Sequence, residues 1–183
     1  MKLGIRTGAS AVAVIVMASA SLVYLASDRM GMAGKAAAEA REATLQTYRA
    51  GQALKSLIHG YELTFNEYYS TALKLPAYQK KAAEFKAAID SELATLEKLN
   101  SGDATAVAEL KTALGEMEAL RLELEGALSE ENKDWDLARE ALYKLTVVSI
   151  SAAQPSELIA RIAGERAVAM DTAFQNHQAQ ALR

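Results

Sequence analysis

Residues 54–75, LKSLIHGYELTFNEYYSTALKL, decide the fold. Leu54, Ile58, Tyr61, Phe65, Tyr68, Ala72 and Leu75 recur at alternating spacings of four and three, which places them on one stripe of a helix. The same phase runs backward through Gly51, Thr47, Thr44, Ala40, Ala37, Ala33 and Met30, all small or apolar. From Asp28 to Leu75 the helix is expected to be a rod roughly 70 Å long. A small domain needs no such rod for its own core, so a long helix placed directly after a membrane-length apolar segment reads as a stalk joining a bundle to a bilayer.

That apolar segment is Ala9–Ser27, which carries no charge and contains Val12, Val14, Ile15, Val16, Met17, Leu22, Val23 and Leu25. Ala18-Ser19-Ala20 also fits a signal-peptidase site after an apolar core of about ten residues. Two readings therefore stand, and the apolar run through Val23, Tyr24 and Leu25 favours the uncleaved anchor. With Lys2 and Arg6 ahead of it, the expected order is a cytoplasmic N-terminus (1–8), a transmembrane signal anchor (9–27) and an extracytoplasmic bundle (28–183). This is a single pass through the inner membrane, with the bulk of the chain periplasmic.

The 20 Lys and Arg against 23 Asp and Glu are too balanced for a nucleic-acid binder. The chain has no cysteine, which excludes disulfides, thiolate metal sites and cysteine nucleophiles. Two Pro and ten Gly, with abundant Ala, Leu, Glu and Lys, point to an all-α fold.

Three more helices follow the rod. Pro76 is expected to end the first near Leu75 and to open the second, which carries Tyr78, Ala82, Phe85, Ile89, Leu93, Leu96 and Leu99 up to the turn Asn100-Ser101-Gly102-Asp103. The third carries Val107, Leu110, Leu114, Met117, Leu120, Leu124 and Leu128, with Glu116, Glu118, Glu123 and Glu125 read as a solvated face without chemistry. The fourth begins at Trp135 and runs through Ala138, Leu142, Leu145, Val148 and Ala152 to Pro155, where a kink is expected. Leu158, Ile159, Ile162, Ala169 and Ala173 continue its apolar face. The expected fold is an up-down-up-down antiparallel four-helix bundle with long first and last helices.

With the anchor, the segment His59-Gly60-Tyr61-Glu62-Leu63-Thr64, and the spaced Tyr78, Phe85, Ile89, Leu93 and Leu96, the chain resembles the periplasmic four-helix-bundle domain of bacterial chemoreceptors and sensor histidine kinases. The resemblance implies a sensory, ligand-binding module, with ligands held between the first and last helices. Members of that class continue into a second membrane span and a signalling segment. This sequence has neither, so any signal is expected to pass through a membrane signalling or transport partner.

No catalytic motif is present, and the chain is expected not to be an enzyme. Ser56 and Phe174, not glutamates, stand three residues before His59 and His177, so the Glu-x-x-His pairs of di-iron bundles are missing. If Leu75 and Lys133 mark the same end, residue numbers across the first and last helices total about 208. That register sets His177 level with Met30 and Met32, a remote route to a b-type haem, although no cofactor is expected. It also gathers Tyr61, Phe65, Tyr68 and Tyr69 at the level of Trp135, Arg139 and Tyr143. These seven are either packing or a candidate ligand site, in which Arg139 pairs with the carboxylate of a small acid or amino acid. A membrane-tethered interaction scaffold is the alternative function. A parallel homodimer is expected through the small-residue seam Ala33, Ala37, Ala40, Thr44, Thr47 and Gly51.

The topology is tested by fusions at Arg183: alkaline phosphatase is expected to be active there and a cytoplasmic reporter silent. The reverse pattern overturns the assignment.

Overall fold

The computed structural model describes residues 4–99, 104–129 and 133–181, with side chains over 34–99, 104–129 and 133–176. Four helices account for nearly all of it: α1 (Gly4–Tyr69), α2 (Leu75–Leu99), α3 (Ala104–Ala127) and α4 (Trp135–Ala181). The chain divides into two compact units, Met1–Glu42 and Ala43–Arg183. In the first, residues 34–42 are exposed. The expected anchor, 9–27, lies outside the residues whose side chains are described, and among those no helix is long and apolar enough to cross a membrane.

The second unit is a four-helix bundle in which successive helices run antiparallel. Lys81 of α2 bonds Glu67 of α1, Lys111 of α3 bonds Glu97 of α2, and Lys55 of α1 bonds Glu157 of α4. The expected α1–α4 register holds: Gly51 meets Ala160 and Tyr69 meets Trp135. Leu54, Ile58, Phe65, Leu110, Met117, Leu124, Leu145 and Ile159 are fully buried. Each contributes about 1.5–3 kcal/mol by leaving water.

The first helix stops six residues before the expected Leu75. Thr71 adopts φ 65°, the left-handed region that a β-branched residue rarely enters, and it turns the chain out of the helix. Its N–H donates to the Tyr68 carbonyl at 3.0 Å and that of Leu73 to Glu67 at 3.1 Å, which satisfies carbonyls that the helix end leaves free. Ala72 is therefore exposed in a turn, and Leu75 opens α2 with Pro76 in the first turn. At the start of α4, Asp134 Oδ1 accepts the N–H groups of Asp136 and Leu137 at 3.1 and 3.0 Å, an N-terminal cap. α4 then continues through buried Pro155 without restarting. Its buried face ends at Ala163, whereas the expected Ala169 and Ala173 are exposed.

The small-residue seam of α1 is used inside the chain. Thr44, Thr47, Ala50 and Gly51 are buried, while Ala37 and Ala40 are exposed. A Cβ built on Gly51 would lie 2.9 Å from the Ala160 nitrogen and 3.0 Å from the Ser156 carbonyl oxygen. These are backbone atoms of α4, so the two helices meet almost main chain to main chain. From Thr44 onward, therefore, the seam expected to join two subunits is already covered by α4.

Two glycines in helix interiors separate this contact from simple helix propensity. Gly51→Ala is expected to destabilise by about 1–2 kcal/mol, because overpacking outweighs the roughly 1 kcal/mol of propensity gained. Gly115→Ala, with nothing within 4 Å of the new methyl, is expected to stabilise by about 0.5–1 kcal/mol. Denaturant melts of the two variants check the opposite signs.

Candidate functional site

Of the seven expected site residues, the structure brings one pair together across α1 and α4. Tyr69 and Trp135 meet edge to face at 5.8 Å between ring centroids. Tyr61, Phe65 and Tyr68 are buried and turn toward α2 and α3 instead. Tyr68 stacks on Tyr78 of α2 at 4.2 Å, and Phe65 meets the same ring at 6.2 Å. Arg139 and Tyr143 lie on the outside of α4. The Arg139 side chain is 71 % exposed and pairs with Asp136 one turn away at 2.8 Å. Tyr143 is 72 % exposed. The level of these residues was legible in the sequence, but their side of the helix was not: positions 139 and 143 fall outside the buried stripe of Ala138, Ala141 and Leu145. The proposed haem ligands Met30, Met32 and His177 lie outside the described side chains.

A different cluster, between α2 and α3, has the chemistry of a site. The Tyr61 ring crosses from α1 and its hydroxyl donates to Glu118 Oε2 at 2.8 Å. Glu118 also accepts from Arg121, at 2.7 Å from Nη2 and 3.1 Å from Nε, while Arg121 Nη1 bonds Glu125. With Gln79, Ala82, Ala83 and Lys86 of α2, these groups line a cleft of about 290 Å³. The two alanines leave the room, and the polar groups line it. Tyr78 stands beside the cluster, completely buried, and its hydroxyl has no hydrogen-bond partner among the described residues.

The charge states follow from these contacts. Arg121 hydrogen bonds hold the Glu118 carboxyl below its ordinary 4.5 despite partial burial, so it is ionised. Burial first, and the Glu118 hydrogen bond second, raise the Tyr61 phenol well above its ordinary 10.0. Burial and then the nearby Glu125 charge do the same to Tyr78, with Arg121 opposing. Both tyrosines are neutral across the physiological range.

Glu118 and Glu125 correct the expectation of an inert acidic face. The signal available in the sequence was Arg121, flanked at i−3 and i+4 by the two glutamates beside the buried Met117 and Leu124. Such a group is tied to the core's edge. Glu116 is exposed, as a solvated face requires.

The depressed Glu118 pKa contributes stability that is present above the unfolded value of 4.5 and lost as pH falls through the folded one. The raised tyrosine values contribute stability that is complete below 10.0 and lost as pH rises beyond it. Urea midpoints are therefore expected to fall at both extremes, with Glu118→Gln flattening the acid limb and Tyr61→Phe the alkaline one. If neither variant alters its limb, the cluster is not the source of the pH dependence. No family model, curated protein or solved structure matches the chain, so the reading of this site rests on its geometry.

Proposed function

We propose that the chain is a membrane-anchored, extracytoplasmic four-helix-bundle module that senses a small ligand and acts through a partner protein. The uncharged stretch 9–27 supports the anchoring, and the bundle supports the resemblance to the sensor domains of chemoreceptors and histidine kinases. The observation that carries the ligand is the α2–α3 cleft, which Tyr61, Gln79, Lys86, Glu118, Arg121 and Glu125 line. A small carboxylate or an amino acid suits this lining. Arg121 and Lys86 supply donors for a carboxylate, and Glu118 and Glu125 accept an ammonium. The solvent-facing group at Arg139 and Tyr143 is the competing ligand position.

Three large apolar side chains exposed on α4, Tyr143, Val147 and Ile150, favour a second reading as an interaction scaffold. Ligand binding separates the two.

The test is a thermal-shift screen of amino acids and small carboxylates on the full chain in detergent. A ligand of the cleft is expected to raise the midpoint. Tyr78→Phe is expected to leave the unliganded protein as stable, or more stable by about 1 kcal/mol, since it removes a buried hydroxyl without a partner. Lys86→Ala is expected to weaken the ligand's shift, whereas Arg139→Ala leaves it intact. If no compound raises the midpoint, the sensory reading fails. If Arg139→Ala abolishes the shift and Lys86→Ala does not, the ligand sits on α4 instead.

A further inference from the structure

Opposite the core stripe of α4 lies an exposed side that meets the rest of the bundle through the surface pair Lys55–Glu157. Asp136, Arg139, Tyr143, Val147, Ile150, Gln154, Glu157 and Arg161 follow one another at spacings of three and four, and all eight are exposed. On the inner side Ala138, Leu145, Ala152 and Ile159 are buried. Tyr143, Val147 and Ile150 are 72, 46 and 58 % exposed, three large apolar groups in a row at the centre of the outward stripe. This is the spacing of a coiled-coil seam, and from Asp136 to Arg161 it extends about 37 Å.

We propose that this seam is a docking surface for a second copy of the chain, with the two α4 helices antiparallel. A two-fold axis between residues 148 and 149 sets Val147 against the partner's Ile150, and Tyr143 against the partner's Gln154, whose amide suits a phenol. Outward from there, Arg139 faces the partner's Glu157, and Asp136 faces the partner's Arg161. The axis repeats each pair, so a doubled apolar centre is closed at both ends by opposite charges. Parallel pairing puts Asp136, Arg139, Glu157 and Arg161 each against its own copy, four like-charge contacts. The charges therefore select the antiparallel sense.

Among the described residues, only surface ion pairs hold these charges against regrouping. The present pairs, Arg139–Asp136 at 2.8 Å, Arg161–Glu165 at 3.0 Å and Lys55–Glu157 at 3.1 Å, all lie at the surface, where ion pairs hold little. Glu140, which also comes near the partner's Glu157, is offset by its own Lys144 at 2.7 Å. This contact is independent of the ligand reading. It is also distinct from pairing along α1, because it runs the two chains in opposite directions; it forms between copies that 9–27 does not both anchor in one bilayer, as after cleavage at Ala18-Ser19-Ala20.

The chain has no cysteine, so each introduced thiol is unique. Full-length copies carrying Asp136→Cys and Arg161→Cys, distinguished by two tags, are mixed and treated with a short bis-maleimide. Unlike copies are expected to crosslink several-fold more than like copies. In sedimentation, Asp136→Arg or Arg161→Asp alone is expected to weaken the dimer, and the double swap to restore it. Ile150→Asp is expected to leave a monomer with unchanged helix content, since the residue packs against nothing in the core. Equal crosslinking of like copies, a monomeric mass for the unaltered chain, or a dimer that survives Ile150→Asp overturns the proposal.

Discussion

The approach of α1 to α4 at Gly51 is the constraint that the rest of the bundle depends on. With backbone nitrogen and oxygen of α4 about 3 Å from where a Cβ would stand, only hydrogen fits, and the helices are held at a separation that larger side chains forbid. Neighbouring positions are small for the same reason. Two of the buried hydroxyls there cost little, because Thr47 donates to the Ala43 carbonyl and Ser156 to that of Ala152, each four residues back on its own helix. From this fixed point the register runs out to Lys55–Glu157 and to the Tyr69–Trp135 pair at the far end. There the filling changes to rings, with Tyr61, Phe65, Tyr68 and Tyr78 in contact.

The Tyr61–Glu118–Arg121–Glu125 group lies where α1, α2 and α3 converge, and it adds specificity that apolar packing lacks. Leucines and methionines tolerate a slide of one helix along another. A carboxylate that must reach both a phenol and a guanidinium does not, because a displacement of one turn strands a half-buried charge. The same group draws polar atoms into what is otherwise a sealed interface, which is why it serves as the proposed ligand site.

Much of this was legible in the sequence. The four-and-three spacing of Leu54 to Tyr68, the Pro76 turn and the start of α4 at Trp135 are local patterns, and the structure keeps them. Helix lengths alone were enough to set the α1–α4 register, because the rise per residue is constant. What failed depended on rotation or on backbone strain. A Thr at a left-handed position gives no warning of a helix end, since glycine or asparagine is the usual mark. Arg139 and Tyr143 were placed at the right level on the wrong side, an error of nearly half a turn that level alone does not detect. Glu118 and Glu125 looked like their solvated neighbour Glu116. Glu118 differs because Tyr61, 57 residues away in sequence, reaches it across the core, and Glu125 because Arg121 and Gln79 of α2 bond it.

The chain's single tryptophan stands at one of these junctions. Trp135 is partly in water, lies edge-on to Tyr69 at 5.8 Å, and has the Lys133 ammonium 6.0 Å from its ring centre. Indole emission depends on the polarity of its surroundings, and a tyrosine this close passes excitation to it efficiently. The protein thus carries its own optical gauge of the distance between the end of α1 and the start of α4. Any event that parts the two helices at that end changes both the colour of the emission and the share excited through tyrosine, without a label.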